Sequence, residues 1–385
     1  MSLFDGYQFF FILILVLGPA VLLGTLEQPL KWYSLAATFL FAALAFFPNP
    51  TQLFYLILFY LLEAFVVKGY LTLRNSKGRV DWIYKTAILL CILPLIICKI
   101  SGVFHLNLFG FLGISYLTFR CVQIVIETYD GIIKELSILD FTAFLLFFPS
   151  LSSGPIDRSR RFLTDWNTVY SRSEYLELAG DGIFKLLLGL IYKLVLASAF
   201  FKGMGALDGS KVWYCVIGYA YCYGFYLFFD FAGYSLMAVG TSYLLGIRTP
   251  DNFNKPFLST DLKDFWDRWH ITLSHWFRDF IFSRFMIHVL KKKYFKNRLN
   301  AASAGFIVNM FIMGLWHGIT PSYILYGLYH GILLALTERW QKKSAFHKAN
   351  KQKKWYRFFS WFLTLQLVMI GFYIFNGKFL WLLGF

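Results

Sequence analysis

Residues 299–337 read LNAASAGFIVNMFIMGLWHGITPSYILYGLYHGILLALT, and no Asp, Glu, Lys or Arg interrupts them. About 20 apolar residues at ~1.5 Å each cross the hydrocarbon core of a bilayer. The run is therefore long enough for two crossings, with Thr320-Pro321 as the turn between them. Charge-free runs at 6–26, 32–62 and 358–377 repeat the pattern. With 58% hydrophobic, 21% aromatic and only 15% charged residues over 385 positions, the composition is that of an all-α, polytopic membrane protein.

A net charge of +16 would point to nucleic acid in a soluble domain, but here the basic residues gather between apolar segments. The links 68–85, 158–172, 284–298 and 339–357 follow the positive-inside rule and are assigned to the cytoplasmic side, against anionic lipid; the last two contain no acid. Nucleic acid is thereby excluded as a partner and the lipid bilayer takes its place. Five cysteines, an odd number inside apolar runs, read as small buried hydrophobes rather than a disulfide framework. The first apolar run lacks a basic segment before it and a small-residue cleavage site after it, so it reads as a retained span. Expected spans are 9–26, 32–47, 53–67, 86–100, 104–126, 183–201, 212–245, 301–319, 323–336 and 358–375. The total is ten or eleven, depending on 140–155, in one polytopic domain over residues 1–385.

Several stretches depart from a plain span. Arg120 is expected to snorkel to the inner interface. Residues 140–155 are apolar but short and end in FPSLSSGP, which predicts a re-entrant or broken segment, with a half-buried loop as the alternative. Lys185 and Lys193, eight apart, should share a helix face. The stretch 212–245 is too long for one simple helix and carries Asp230, so a tilted or broken span is expected. Residues 261–282 alternate Leu262, Phe265, Trp266, Trp269, Leu273 and Trp276 with Asp264, Asp267, Arg268, His275 and Arg278. This predicts an interfacial amphipathic helix with His270 at the edge of its apolar stripe.

His317, in Met313-Gly314-Leu315-Trp316-His317-Gly318, lies about 24 Å along its helix, and an ionisable group at such depth reads as functional by default. A neutral histidine bonded to a backbone carbonyl is the competing reading, and the residue alone leaves both open. Gly314 and Gly318 suit a substrate channel or tight helix packing equally. Trp269-His270 repeats the Trp-His pair of Trp316-His317. No metal-ligand spacing, nucleophile elbow or phosphate loop occurs. Asp230 reads as a partner for a membrane Lys or Arg.

Residues 228–235 (FFDFAGYS), 252–257 (NFNKPF), 264–280 (DFWDRWHITLSHWFRDF) and 314–318 (GLWHG) together resemble the membrane-bound O-acyltransferases, in the correct order and over most of the chain. Within that superfamily, 149–162 (PSLSSGPIDRSRRF) and 278–284 (RDFIFSR) resemble the D-alanyl transfer (DltB) type of teichoic acid modification. The alginate O-acetylase branch shares two of the motifs but tends to be longer. The resemblance implies that His317 is the general base on an acceptor hydroxyl and that His270 assists. It implies no cofactor of the chain's own. The phosphopantetheine arm belongs to a small acidic cytoplasmic carrier protein, which bears D-alanine as a thioester. It gives the segment after 284 a purpose: Met286, Val289 and Leu290, bordered by Lys291, Lys292, Lys293 and Arg298, would dock that carrier. Ser152, Ser153, Pro155, Asp230, Trp266 and Trp316 would line a central passage in which donor and acceptor meet. The acceptor is lipoteichoic acid or an intermediary, alongside other membrane proteins of the pathway. The competing readings are a transporter or flippase of an activated D-alanyl species, and a polysaccharide O-acetylase.

Overall fold

The computed structural model describes residues 3–104, 106 and 108–384, so the start of the expected span 104–126 falls partly outside them. Eighteen α-helices follow one another among these residues. The first seven are α1 Gly6–Thr25, α2 Lys31–Phe46, α3 Pro50–Lys77, α4 Asp81–Val103, α5 Ile114–Tyr129, α6 Ile138–Leu146 and α7 Ser159–Trp166. Next come α8 Arg172–Leu190, α9 Ser198–Leu207, α10 Trp213–Leu244, α11 Leu262–Trp266, α12 Ile271–Phe277 and α13 Ser283–Lys291. The last are α14 Arg298–His317, α15 Pro321–Lys343, α16 Ala345–Asn350, α17 Lys354–Phe375 and α18 Lys378–Leu382.

Among the described residues seven helical stretches are long and apolar enough to cross a membrane, fewer than the ten or eleven expected. The physical reasons are local. Helices α2 and α5 have only 16 residues each, about 24 Å at 1.5 Å per residue. Helix α15 has 23 residues but dilutes its apolar content with glycines, His330 and a charged end. On α1, α3 and α4 large apolar side chains such as Phe11, Ile14, Leu58 and Leu89 face outward, the reverse of a soluble protein and suited to lipid.

Chain contacts divide the fold into two units, residues 1–190 with 233–250, and residues 191–232 with 251–385. In the first, α5 is buried along nearly its whole length. Arg120 does not snorkel: it is 1% exposed. Its guanidinium donates to the Phe144 and Leu145 carbonyls at 2.8 Å each, and to the Ser150 carbonyl at 2.7 Å and hydroxyl at 2.6 Å. Those carbonyls belong to the segment 140–155, where α6 gives way to a 3-10 turn, Phe148–Ser150, and then to irregular chain. Buried carbonyls released by a broken helix require donors. A planar guanidinium with five N–H groups supplies them, so the segment is broken and buried, as expected of it, rather than a half-exposed loop. Helix α8 and the end of α10 pack backbone against backbone: a Cβ at Gly189 would lie 2.7 Å from the Gly233 carbonyl, and one at Gly182 2.9 Å from that of Gly240.

Helix α10 is one unbroken helix of 32 residues, about 48 Å long. The irregularity sits instead between α8 and α9, where Ile191–Ala197 is a π-helix. Each of the two lysines meets a residue of α10, as the expected protein-facing side of the helix requires. Lys185 lies over the Tyr243 ring in the first unit, and Lys193 pairs with Asp230 at 2.5 Å in the second. The isolated apolar aspartate thus has the basic partner that the sequence called for.

Candidate active site

Within the second unit, α14 and α15 form a hairpin that positions His317. Gly318 is extended and returns its N–H to the Gly314 carbonyl at 3.2 Å. Pro321 then opens α15, where its missing N–H is harmless. The two helices touch through glycines. A Cβ at Gly314 would strike the Tyr323 carbonyl, one at Gly327 would stand 2.5 Å from the Met310 carbonyl, and one at Gly331 2.8 Å from the Ile307 Cα. Gly314 therefore serves packing, which decides one of the two readings left open for it. Helix α14 has 20 residues, about 30 Å, and His317 closes it at the end remote from Arg298.

The His317 ring is half-buried in an aromatic cage. Trp316 lies 4.6 Å away between ring centroids, Phe375 5.0 Å and perpendicular, Tyr323 5.9 Å and Tyr326 6.2 Å. Flat apolar walls fix the orientation of the imidazole while leaving part of it accessible, which is what a base needs to meet a substrate hydroxyl.

His270 occupies a different setting from the one expected. The predicted amphipathic helix 261–282 is broken into α11, a turn, α12 and a π-segment, Arg278–Phe282. Its two faces survive: Trp266, Trp269, Leu273 and Trp276 are buried, while Asp267 and Arg278 are exposed. The break comes from strand-like pairing with the residues before it. Asn254 donates to the Arg268 carbonyl at 3.0 Å, Ile271 donates to the Asn252 carbonyl at 2.9 Å, and Phe253 bridges Trp269. The Thr272 hydroxyl donates to the Asn252 side chain at 2.6 Å. His270 lies at the corner with φ +43°, a left-handed conformation that a non-glycine residue keeps only where its surroundings enforce it. It is 4% exposed, not wet at an interface, and its ring stands 4.7 Å from Phe231. Burial first, and the nearby His317 imidazole second, hold the His270 ring well below the usual imidazole range. It is a neutral group at physiological pH, within electrostatic reach of His317.

A third histidine escaped the sequence reading. His330 on α15 is fully buried, 4.7 Å from Tyr326 and 5.3 Å from Trp266, and neither ring nitrogen has a partner among the described residues. Tyr326 thus separates it from His317. Its signal was available, a histidine inside the charge-free run that opened the sequence analysis, but no Trp-His pair marked it.

The other predicted residues divide between the units. Trp266 is buried near His330 in the second, Trp316 is against His317, and Asp230 is held by Lys193. Ser152, Ser153 and Pro155 belong to the first unit, where the Ser152 and Tyr234 hydroxyls bond at 2.7 Å. Helix α13 and the residues after it carry the side chains expected to form a docking patch, and one of them is not at the surface. Val289 is 4% exposed and turns into the protein, because its position on the helix faces inward; Ile287, 67% exposed, and Leu290 form the outer apolar surface, with Met286 half-buried. Lys291, Lys292, Lys293 and Arg298 are exposed around it. Among the described residues no three His, Cys, Asp or Glu side chains converge as a metal set.

The model of the membrane-bound O-acyltransferase family, MBOAT, matches residues 51–376. The chain is similar to the teichoic acid D-alanyltransferase of Bacillus subtilis (strain 168), 39% identical over 98% of both chains. It is 38% identical to that of Streptococcus thermophilus over 97% of this chain and 94% of the relative. Similarity to the "Probable alginate O-acetylase AlgI" of Pseudomonas aeruginosa is 31%, over 69% of this chain and 49% of that protein.

Proposed function

The chain belongs to the membrane-bound O-acyltransferase family and is a multi-pass acyltransferase of the cell membrane, and from that premise we propose that it transfers D-alanine to teichoic acid. Similarity to the teichoic acid D-alanyltransferases runs nearly end to end, whereas the alginate O-acetylase match covers half of that protein. This contrast favours a D-alanyl over an acetyl group. The observation that carries the chemistry is the caged, partly accessible His317 within electrostatic reach of a neutral, buried His270.

The donor is D-alanine held as a thioester on the phosphopantetheine arm of an acidic carrier protein on the cytoplasmic side. The acceptor is a hydroxyl of lipoteichoic acid, or of an intermediary, on the outer side. The His317 imidazole takes the hydroxyl proton as the oxygen attacks the thioester carbonyl carbon. The C–O bond forms, the C–S bond breaks, and the departing thiolate takes the proton back from the imidazolium. A base placed in this way contributes about 100- to 10,000-fold in rate. His270, held neutral and rigid, positions the thioester by hydrogen bonding. Ile287 and Leu290, ringed by Lys291, Lys292 and Lys293, give the carrier an apolar contact and a steering field.

Proteoliposomes containing the purified chain test this reading. Supplied with D-alanyl carrier thioester and teichoic acid acceptor, they are expected to form D-alanyl ester, and acetyl-CoA is expected not to serve as donor. Acetyl transfer without D-alanyl transfer would place the chain in the O-acetylase branch; movement of the donor with no ester formed would favour a transporter.

A further inference from the structure

Helices α15 and α17 part at their basic ends, and α16 spans the gap to leave an open cavity of about 860 Å³. It lies within the second unit and apart from His317. Its two walls are helical stripes. Leu333, Leu336 and Trp340 recur at three- and four-residue intervals on α15, and Phe359, Leu363 and Leu367 at four on α17. Phe346 and Trp355 close the lower end, both about half exposed. At that end the lining becomes polar, with His347, Lys351 and Arg357. His347 is fixed through its Nδ1 to the Tyr356 hydroxyl at 2.9 Å, and that hydroxyl accepts from the Trp340 indole at 3.1 Å. One acid, Asp261, also lines the cavity, but its carboxylate caps α11 and accepts from Gln341 at 2.9 Å. The link 339–357 has eight Lys or Arg and no Asp or Glu.

We infer that this groove binds an anionic glycerophospholipid of the cytoplasmic leaflet, with its phosphate between Lys351 and Arg357 and an acyl chain along the α15–α17 walls. Length and charge select the occupant. From Arg357 to Leu367 the apolar wall extends about 15 Å along α17, half of the ~30 Å hydrocarbon core. A groove one leaflet deep, with Leu333, Leu336, Leu363 and Leu367 along walls whose polar members Thr337, Ser360 and Thr364 are uncharged, and with cations only at its mouth, matches a lipid tail and headgroup. A soluble anion would use the mouth and leave the walls bare. The basic link lies on the side where anionic lipid is concentrated. Ordering a lipid here ties α15, which carries Tyr323 and Tyr326 of the His317 cage, to α17, which carries Phe375.

The test is native mass spectrometry of the full-length protein, released from micelles doped with phosphatidylglycerol or with phosphatidylcholine of the same acyl chains. The wild type is expected to retain phosphatidylglycerol preferentially. Lys351→Gln or Arg357→Gln should each weaken that retention about fivefold, the size of one basic residue at an anionic surface, and the pair roughly 25-fold. Lys77→Gln, an exposed charge on α3, should leave it unchanged. Leu363→Trp, which fills the wall without touching the charges, should reduce retention of both lipids while excess glycerol phosphate fails to displace either. Equal retention of the two lipids by the wild type, unchanged selectivity in the double variant, or displacement by glycerol phosphate would each overturn the proposal.

Discussion

Arg120 and His270 show how single residues take their meaning from backbone that the sequence does not display. Read alone, an arginine near the end of an apolar run snorkels; here it is interior because the chain breaks at Phe147 and exposes carbonyls for which Arg120 supplies the donors. Arg120→Met keeps the bulk and removes every donor. Three carbonyls are then left buried without a partner at about 1–3 kcal/mol each, so a loss of at least about 3 kcal/mol is expected, read as a large fall in the thermal midpoint in detergent. A midpoint within a degree or two of the wild type would show that the carbonyls find other donors. His270 was legible as one of two Trp-His pairs, but its burial was not, because that depends on Asn252 and Asn254 pairing with residues 268–272. His330, with no such pair beside it, was not legible as part of the cluster at all.

At the scale of elements, two helices broken at Thr320-Pro321 were read correctly from charge and length, although only α14 is long and apolar enough to cross a membrane, and the structure adds that their glycines bring the two backbones into contact. Gly314→Ala places a methyl against the rigid Tyr323 carbonyl, three residues from His317. The helices must separate, at about 1–3 kcal/mol, and transfer activity is expected to fall with stability. Gly305→Ala is the matched control, since its methyl meets the side-chain rings of Phe282 and Phe285 rather than backbone, and it should change both much less. Equal effects of the two would remove the argument from close packing. The stretch 261–282 teaches the complementary lesson. Its amphipathic pattern located the buried and exposed faces correctly, but three- and four-residue spacing cannot reveal a left-handed residue imposed by a neighbouring segment. Helix α13 is similar: its composition located a basic surface with an apolar centre, and only its helical phase shows that Ile287 rather than Val289 faces outward.

For the whole molecule, composition and charge placement sufficed for an all-α membrane protein, and the order of motifs sufficed for its family, which the match over residues 51–376 bears out. The number of spans was less legible, because helices of 16 residues such as α2 and α5, and the glycine- and charge-diluted α15, resemble full spans in their apolar runs. The same charge placement predicts how the proposed carrier would be met. Lys291→Glu with Lys292→Glu should abolish retention of an acidic carrier in pulldown, and raising salt from about 0.1 M to about 1 M, which shortens the screening length from about 10 Å to about 3 Å, should weaken wild-type binding. Binding indifferent to both would move the docking surface elsewhere. The central claim is that these parts serve one imidazole. In proteoliposomes charged with D-alanyl carrier, His317→Ala is expected to lower ester formation by at least about 100-fold while carrier binding stays at the wild-type level. Transfer within a few-fold of wild type, with the variant folded and the carrier bound, would contradict it.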